Sequence, residues 1–263
     1  MLRDITIGQY IAGSSIVHRL DPRIKILITM ILIIALFFIG RFMGFALFAV
    51  MLGLVIFLAH LPFKRIVKGL KPILFLVILT LVLHIFLTKG GKVLWEWSFI
   101  RIEEEGLYTG LFMVTRILLL IMFTSILTLT TSPLELTDGI EHLLNPFKRI
   151  GVPASELAMM MSIALRFIPT LLEEAEKIMK AQMARGADFE SGSIFRRAKS
   201  LIPLLVPLFI SAFRRADDLA LAMESRCYHG GEGRTRLHEL EIKGRDIIAL
   251  IISICFGIGV SFY

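Results

Sequence analysis

LYTGLFMVTRILLLIMFTSILTLT, from Leu107 to Thr130, gives way within two residues to Ser132-Pro133-Leu134-Glu135, and the join between them decides the fold. The first stretch is apolar except for Arg116 and scattered hydroxyls. It is long enough for a hydrocarbon core that takes about 20 residues of helix. The second stretch combines Ser-x-x-Glu with a first-turn proline, which marks a helix start. Leu136, Ile140, Leu143 and Leu144 then form an apolar stripe that ends at Asn145-Pro146. Up to Thr130 the chain reads as lipid-crossing; beyond it, as amphipathic.

Four further runs on either side suit the bilayer: about 24–39, 42–60, 72–88 and 247–263. With 107–130 they make five transmembrane helices. The chain is 263 residues long and 56% hydrophobic, with a mean hydropathy of +0.77. These values exclude an ordinary soluble domain. The fold class expected is all-α: a polytopic membrane protein with a cytoplasmic or interfacial domain inserted before the last span. The boundaries are 1–131 for the membrane domain, 132–245 for the inserted domain and 246–263 for the fifth span. Residues 1–23 hold no apolar run and no cleavage pattern, so no cleavable signal is expected. Asp21-Pro22 reads as the N-cap and first position of the first helix. Trp95 and Trp97 fit an interfacial belt. Cys227 and Cys255 are the only cysteines, and neither a disulfide nor a metal site is expected from them.

The net charge of +7 reflects topology rather than nucleic-acid binding. Between Ser132 and Asp246, 16 Lys/Arg balance 16 Asp/Glu. The excess lies in Arg3, Arg19, Arg23 and Lys25 before the first span, and in Lys64, Arg65, Lys68 and Lys71 between the second and third. Basic residues beside spans favour the cytoplasm. The N-terminus and the inserted domain are therefore expected inside and the C-terminus outside, in the cell membrane.

Three amphipathic helices are expected in the inserted domain, near 133–145, 154–185 and 201–226; Pro203 and Pro207 could bend or delay the third. Gly230, Gly231 and Gly233 mark a return loop. The two longer helices hold apolar runs of only 14 and 13 residues, Met159–Leu172 and Leu201–Phe213, which favour the cytoplasmic face over further spans. Each ends on an arginine between small residues, Ala184-Arg185-Gly186 and Ser225-Arg226-Cys227, with the two arginines 41 positions apart. Such an end presents a long, permanently charged side chain with little bulk around it. Two of them suggest a grip on two similar soluble subunits. Arg116, about ten residues into the fourth span, must face the bundle or a polar cavity. It is satisfied by carbonyls or hydroxyls such as Thr115 or Ser125, or it meets a membrane partner. Met159, Met160 and Met161 offer adaptable packing to a sliding partner, or simply fill gaps.

The residues that carry a family resemblance are Leu20-Asp21-Pro22-Arg23-x-Lys25, the Glu156-Leu157-Ala158 to Arg166-Phe167-Ile168-Pro169-Thr170 stretch, Ala181-Gln182-x-Ala184-Arg185-Gly186, and Arg214-Arg215-Ala216-Asp217 leading to Ser225-Arg226-Cys227. Over essentially its whole length the chain resembles the transmembrane T component of energy-coupling factor transporters. The resemblance implies a subunit that joins two ABC-type ATPase subunits to a small substrate-binding membrane protein, the S component. The inserted helices would then be coupling helices, and each x-Arg-x tip would dock in one ATPase subunit. Ser225-Arg226-Cys227 departs from the usual Ala-Arg-Gly. Its cysteine would be strained wherever the backbone needs glycine.

No G-x-x-x-x-G-K-[ST] phosphate loop occurs, so ATP and magnesium are expected on the partner subunits and no cofactor in this chain. The overall resemblance implies vitamins as the cargo, with a cobalt or nickel importer as the alternative. An intramembrane enzyme would need clustered histidines or carboxylates within the spans; His84 has no acidic partner there, and no H-E-x-x-H occurs. A channel would need polar residues recurring along several spans.

Overall fold

Asp21 begins the first helix as its spacing demands: its carboxylate accepts from the Arg23 backbone N–H at 2.9 Å, and Pro22 takes the first position. In this computed structural model, helix α1 (Pro22–Phe38) is followed by α2 (Phe42–Ala59), α3 (Phe63–Leu70) and α4 (Leu74–Leu87). Strands β1 (Val93–Trp97) and β2 (Ile100–Glu103) come next, then α5 (Glu104–Thr130), α6 (Pro133–Leu144), α7 (Ala154–Ala184), α8 (Ile202–Glu224) and α9 (Gly244–Ser261). The structure describes residues 10–97, 100–189, 193, 195, 199–228, 230 and 240–262, without the side chains of 94–97 and 100–102. The first nine residues, Gly231, Gly233, Tyr263 and the indoles of Trp95 and Trp97 lie outside that set.

The chain is an α-helical polytopic membrane protein. Among the described residues, five helices are long and apolar enough to cross a bilayer: α2, the α3–α4 stretch Phe63–Leu87, α5, α7 and α9. Helix α1, with 17 residues, sits at the lower end of spanning length. Helix α7 qualifies because its 31 residues run unbroken through Pro169. Helical backbone begins ahead of the third apolar run, at Phe63. Helix α3 is a short amphipathic piece, and Pro72 falls in the first turn of the 3-10 segment Lys71–Ile73, where its missing N–H is harmless. The loop between α4 and α5 forms a two-stranded antiparallel hairpin with Val93 opposite Glu103 and Trp97 opposite Ile100.

One compact unit comprises Gly8–Gly139 and Leu240–Tyr263. Its core is aromatic: Phe48 of α2 is fully buried, edge-on to Phe123 of α5 at 5.8 Å and to Phe256 of α9 at 5.1 Å. Helices α4 and α5 approach closely at Gly106, where a Cβ would stand 2.9 Å from the carbonyl oxygens of both His84 and Thr88. The Leu20-Asp21-Pro22-Arg23-x-Lys25 stretch builds a buried polar knot in this unit. Asp246, 1% exposed, accepts from the Asp21 N–H at 3.0 Å and the Lys243 N–H at 2.7 Å. Lys25 donates to the carbonyls of His18 at 2.9 Å and Thr130 at 3.0 Å. Arg23 pairs with Asp21 at 2.8 Å and donates to the Leu240 carbonyl. The knot joins the starts of α1 and α9 to the end of α5, and each buried charge in it has hydrogen-bond partners.

The second unit contains Ile140–Glu239. Helix α6, whose start lies in the first unit, opens on the reciprocal cap its sequence calls for: Ser132 N–H to Glu135 at 3.0 Å and Glu135 N–H to Ser132 Oγ at 3.2 Å. Helices α7 and α8 pack antiparallel. Gln182 near the end of α7 donates to the Pro203 carbonyl at the start of α8, and Glu174 pairs with Arg215 at 2.8 Å. Ile163 and Phe167 line one cavity with Leu219 and Met223. Pro203 falls in the first turn of α8, so the helix begins on schedule and only Pro207 lies inside it.

Candidate functional site

An α-helix leaves its last carbonyls unpaired, and how they are satisfied fixes where the final side chains point. At the end of α7 the Gly186 N–H donates to the Met183 carbonyl at 2.9 Å, and the Ala187 N–H to that of Gln182 at 3.0 Å. Gly186 is left-handed, with φ 88°. This is a Schellman closure with Arg185 as the last helical-side residue. At the end of α8 the Cys227 N–H donates to the Glu224 carbonyl at 2.9 Å, and the Tyr228 N–H to that of Met223 at 3.1 Å. Cys227 is left-handed too, with φ 56°.

The two ends are therefore the same structure in the same register. Ala184 matches Ser225, Arg185 matches Arg226, and Gly186 matches Cys227. Cysteine occupies the position where the other copy has glycine, in a backbone conformation that costs an L-residue about 1–2 kcal/mol. A Cβ on Gly186 would meet nothing within 4 Å. Glycine is needed there for its dihedral and not for space.

All six tip residues are exposed. Neither the Arg185 nor the Arg226 guanidinium has a hydrogen bond or ion pair to another described residue. Because α7 and α8 run antiparallel, the tips lie at opposite ends of the pair. The 23-residue length of α8 sets them about 35 Å apart at 1.5 Å per residue. Each guanidinium also stands at the negative end of a helix dipole, which favours its charge. The arrangement is a two-helix bar with a cationic side chain capable of bidentate donation at each end. Beside the α7-facing side of α8, Ile202, Val206, Phe209 and Phe213 form a stripe, each at least half exposed. Such an apolar stripe marks a membrane or protein contact.

Arg116 lies in the other unit and is engaged there. Its Nη2 donates to the Ile39 carbonyl at 2.9 Å and reaches that of Phe37 at 3.5 Å, while the guanidinium lies over the Phe112 ring at 5.1 Å. The hydroxyls proposed from sequence are not its partners, since Thr115 bonds back to Leu111 within its own helix. Arg116 instead takes up the free carbonyls at the end of α1. Of the three methionines, Met160 and Met161 are about half exposed and Met159 is half-buried. Among the described residues, no group of three or more His, Cys, Asp or Glu forms a metal site.

Several apolar helices and one antiparallel pair of amphipathic, Arg-tipped helices define a polytopic integral-membrane protein. Residues 13–237 match the family model CbiQ, described as cobalt transport protein. The chain is 58% identical to a protein of Thermosediminibacter oceani over 98% of its own length and 97% of that protein's. It is 56% identical to one of Clostridium kluyveri, over 98% and 97%, and 49% identical to one of Bacillus subtilis, over 96% of each. All three are named energy-coupling factor transporter transmembrane protein EcfT. The chain belongs to this CbiQ/EcfT family of transporter transmembrane components.

Proposed function

We propose that the chain is the coupling subunit of an energy-coupling factor importer, joining two ABC-type ATPase subunits to a membrane-embedded S component. The observation that carries this reading is the pair of matched, exposed Arg tips, their guanidinium groups unpartnered among the described residues, at opposite ends of the α7–α8 bar. A two-ended bar fits two copies of one kind of partner, each presenting a carboxylate groove to one guanidinium. ATP binding and hydrolysis, on those partners, would change the distance between the grooves and so tilt or bend the bar. The exposed stripe of α8 and the Met159–Met161 surface would pass that movement to the S component. On this reading residues 132–245 form the coupling domain, and α7 lies at the cytoplasmic face rather than crossing the bilayer. Its charged residues Glu173, Glu174, Glu176, Lys177 and Lys180 fall within two turns, which a lipid-facing helix would not carry. The same assignment puts the N-terminus inside and the C-terminus outside.

We assign a vitamin as cargo, captured by the S component. The description of the matching family, cobalt transport protein, favours a metal-ion importer as the second reading. The test is the double variant Arg185→Ala/Arg226→Ala, expressed with candidate ATPase and S subunits. The protein should insert and fold, because both side chains are exposed, yet lose both ATPase subunits on purification and uncouple hydrolysis from uptake. Truncating one partner of a buried interfacial charge pair costs about 2–5 kcal/mol. Copurification and uptake at wild-type levels would overturn the proposal. Radiolabelled vitamin or cobalt uptake with each S subunit separates the two cargo readings.

A further inference from the structure

Helix α3 and the turn after it carry Lys64, Lys68 and Lys71 at i, i+4 and i+7, so three exposed ammonium groups share one side. The opposite side is fixed by Ile66, which is fully buried. Beneath the lysines a groove of about 500 Å³ runs between α4 and α5, floored by Leu74, Val77 and Leu118 among others. No Asp or Glu occurs between Asp21 and Glu96, or between Glu105 and Glu135, so the walls of the groove supply no counter-charge. The groove also lies at a boundary. Its lysines precede the apolar run that begins at Ile73, and its floor belongs to that run. Cationic mouth and apolar trough therefore meet at headgroup depth.

We infer that this groove holds an anionic glycerophospholipid, its phosphate held by Lys64, Lys68 and Lys71 and an acyl chain lying along Leu74, Val77 and Leu118. A basic pocket between spans at the membrane surface recognises anionic headgroups. A free anion would use the lysines but leave the apolar trough unfilled; a zwitterionic lipid would fill the trough but bring its own cation to the lysines. Seating a lipid here would brace the amphipathic α3 against the spans.

The experiment titrates the full-length, delipidated chain in detergent with phosphatidylglycerol and phosphatidylcholine, reading bound lipid by native mass spectrometry. Phosphatidylglycerol should be retained at least tenfold better than phosphatidylcholine. Each lysine should contribute several-fold, so Lys64→Gln/Lys68→Gln/Lys71→Gln should lose tenfold or more. The corresponding Lys→Arg triple should retain binding, and Lys148→Gln, in the other unit, should leave it unchanged. Val77→Trp, which fills the trough without altering charge, should also weaken retention. Equal retention of both lipids, an unaffected triple Gln variant, or displacement by millimolar inorganic phosphate would each overturn the inference. A photo-crosslinker at position 68 that captures a protein in native membranes, in place of lipid, would do so too.

Discussion

Gly186→Ala and Cys227→Gly change the same backbone position at the two tips, and the structure predicts opposite effects. At Gly186 the added methyl meets no atom within 4 Å, so the penalty is that of holding alanine at φ 88°. That is about 1–2 kcal/mol, or roughly a 5- to 30-fold loss of the tip conformation, since 1.4 kcal/mol is tenfold. At Cys227, with φ 56°, glycine removes a similar strain but gains about 0.5–1 kcal/mol of freedom in the unfolded chain. The net gain is about 0.5–1 kcal/mol, a two- to fivefold tighter tip. If ordered tips grip the ATPase subunits, Gly186→Ala should weaken and Cys227→Gly strengthen their binding by those factors. Titrating the purified ATPase subunits onto the immobilised chain, with Cys255 left in place, measures both. Unchanged binding by Gly186→Ala together with weakened binding by Cys227→Gly would refute the reasoning. It would mean that the thiol makes a contact of its own and that tip order is irrelevant.

Asp246→Ala should leave the Asp21 and Lys243 amides without their acceptor, costing about 1–3 kcal/mol. The readout is a lower melting temperature in detergent, with Asp246→Asn falling between. Arg116→Met should strand the Ile39 carbonyl in an apolar setting and cost about 1–3 kcal/mol, seen as faster proteolysis at the α1–α2 turn. His18 is held below its ordinary value of 6.5, chiefly by burial, with its Nε2 on the Ile11 carbonyl and its Nδ1 on Ser15 Oγ. A depressed histidine means that the unfolded segment binds the proton more readily, so stability should fall as pH drops below about 6.5. His18→Gln should flatten that slope in thermal melts between pH 5 and 8.

Much of this architecture is local and could be read from the chain. Asp21-Pro22 and Ser132-x-x-Glu135 announce helix starts because their hydrogen bonds lie within three residues. The Arg tips were legible for the same reason, and so was the strain at Cys227, since a six-residue closure is repeated in the sequence. What could not be read is long-range. Lys25 finds Thr130, 105 residues on, and Asp21 finds Asp246, 225 residues on; no periodicity links them. Arg116 was expected to be satisfied by carbonyls or hydroxyls, and it is met by carbonyls, but ones at the end of α1, 77 residues away, which no local pattern picks out. Helix α3 was hidden because four basic residues and Pro72 interrupt the apolar pattern that continues into α4. The hairpin at Val93–Glu103 was overlooked because its tryptophans read first as a membrane belt.

The coupling account turns on what each arginine tip touches. A photo-crosslinking residue placed at 185, at 226, or at both, in membranes containing the assembled transporter, reads this directly. Each single substitution should yield the chain joined to one ATPase subunit, and the double substitution the chain joined to two. Cross-links to lipid, to the chain itself, or to an extracellular probe at either position would contradict it.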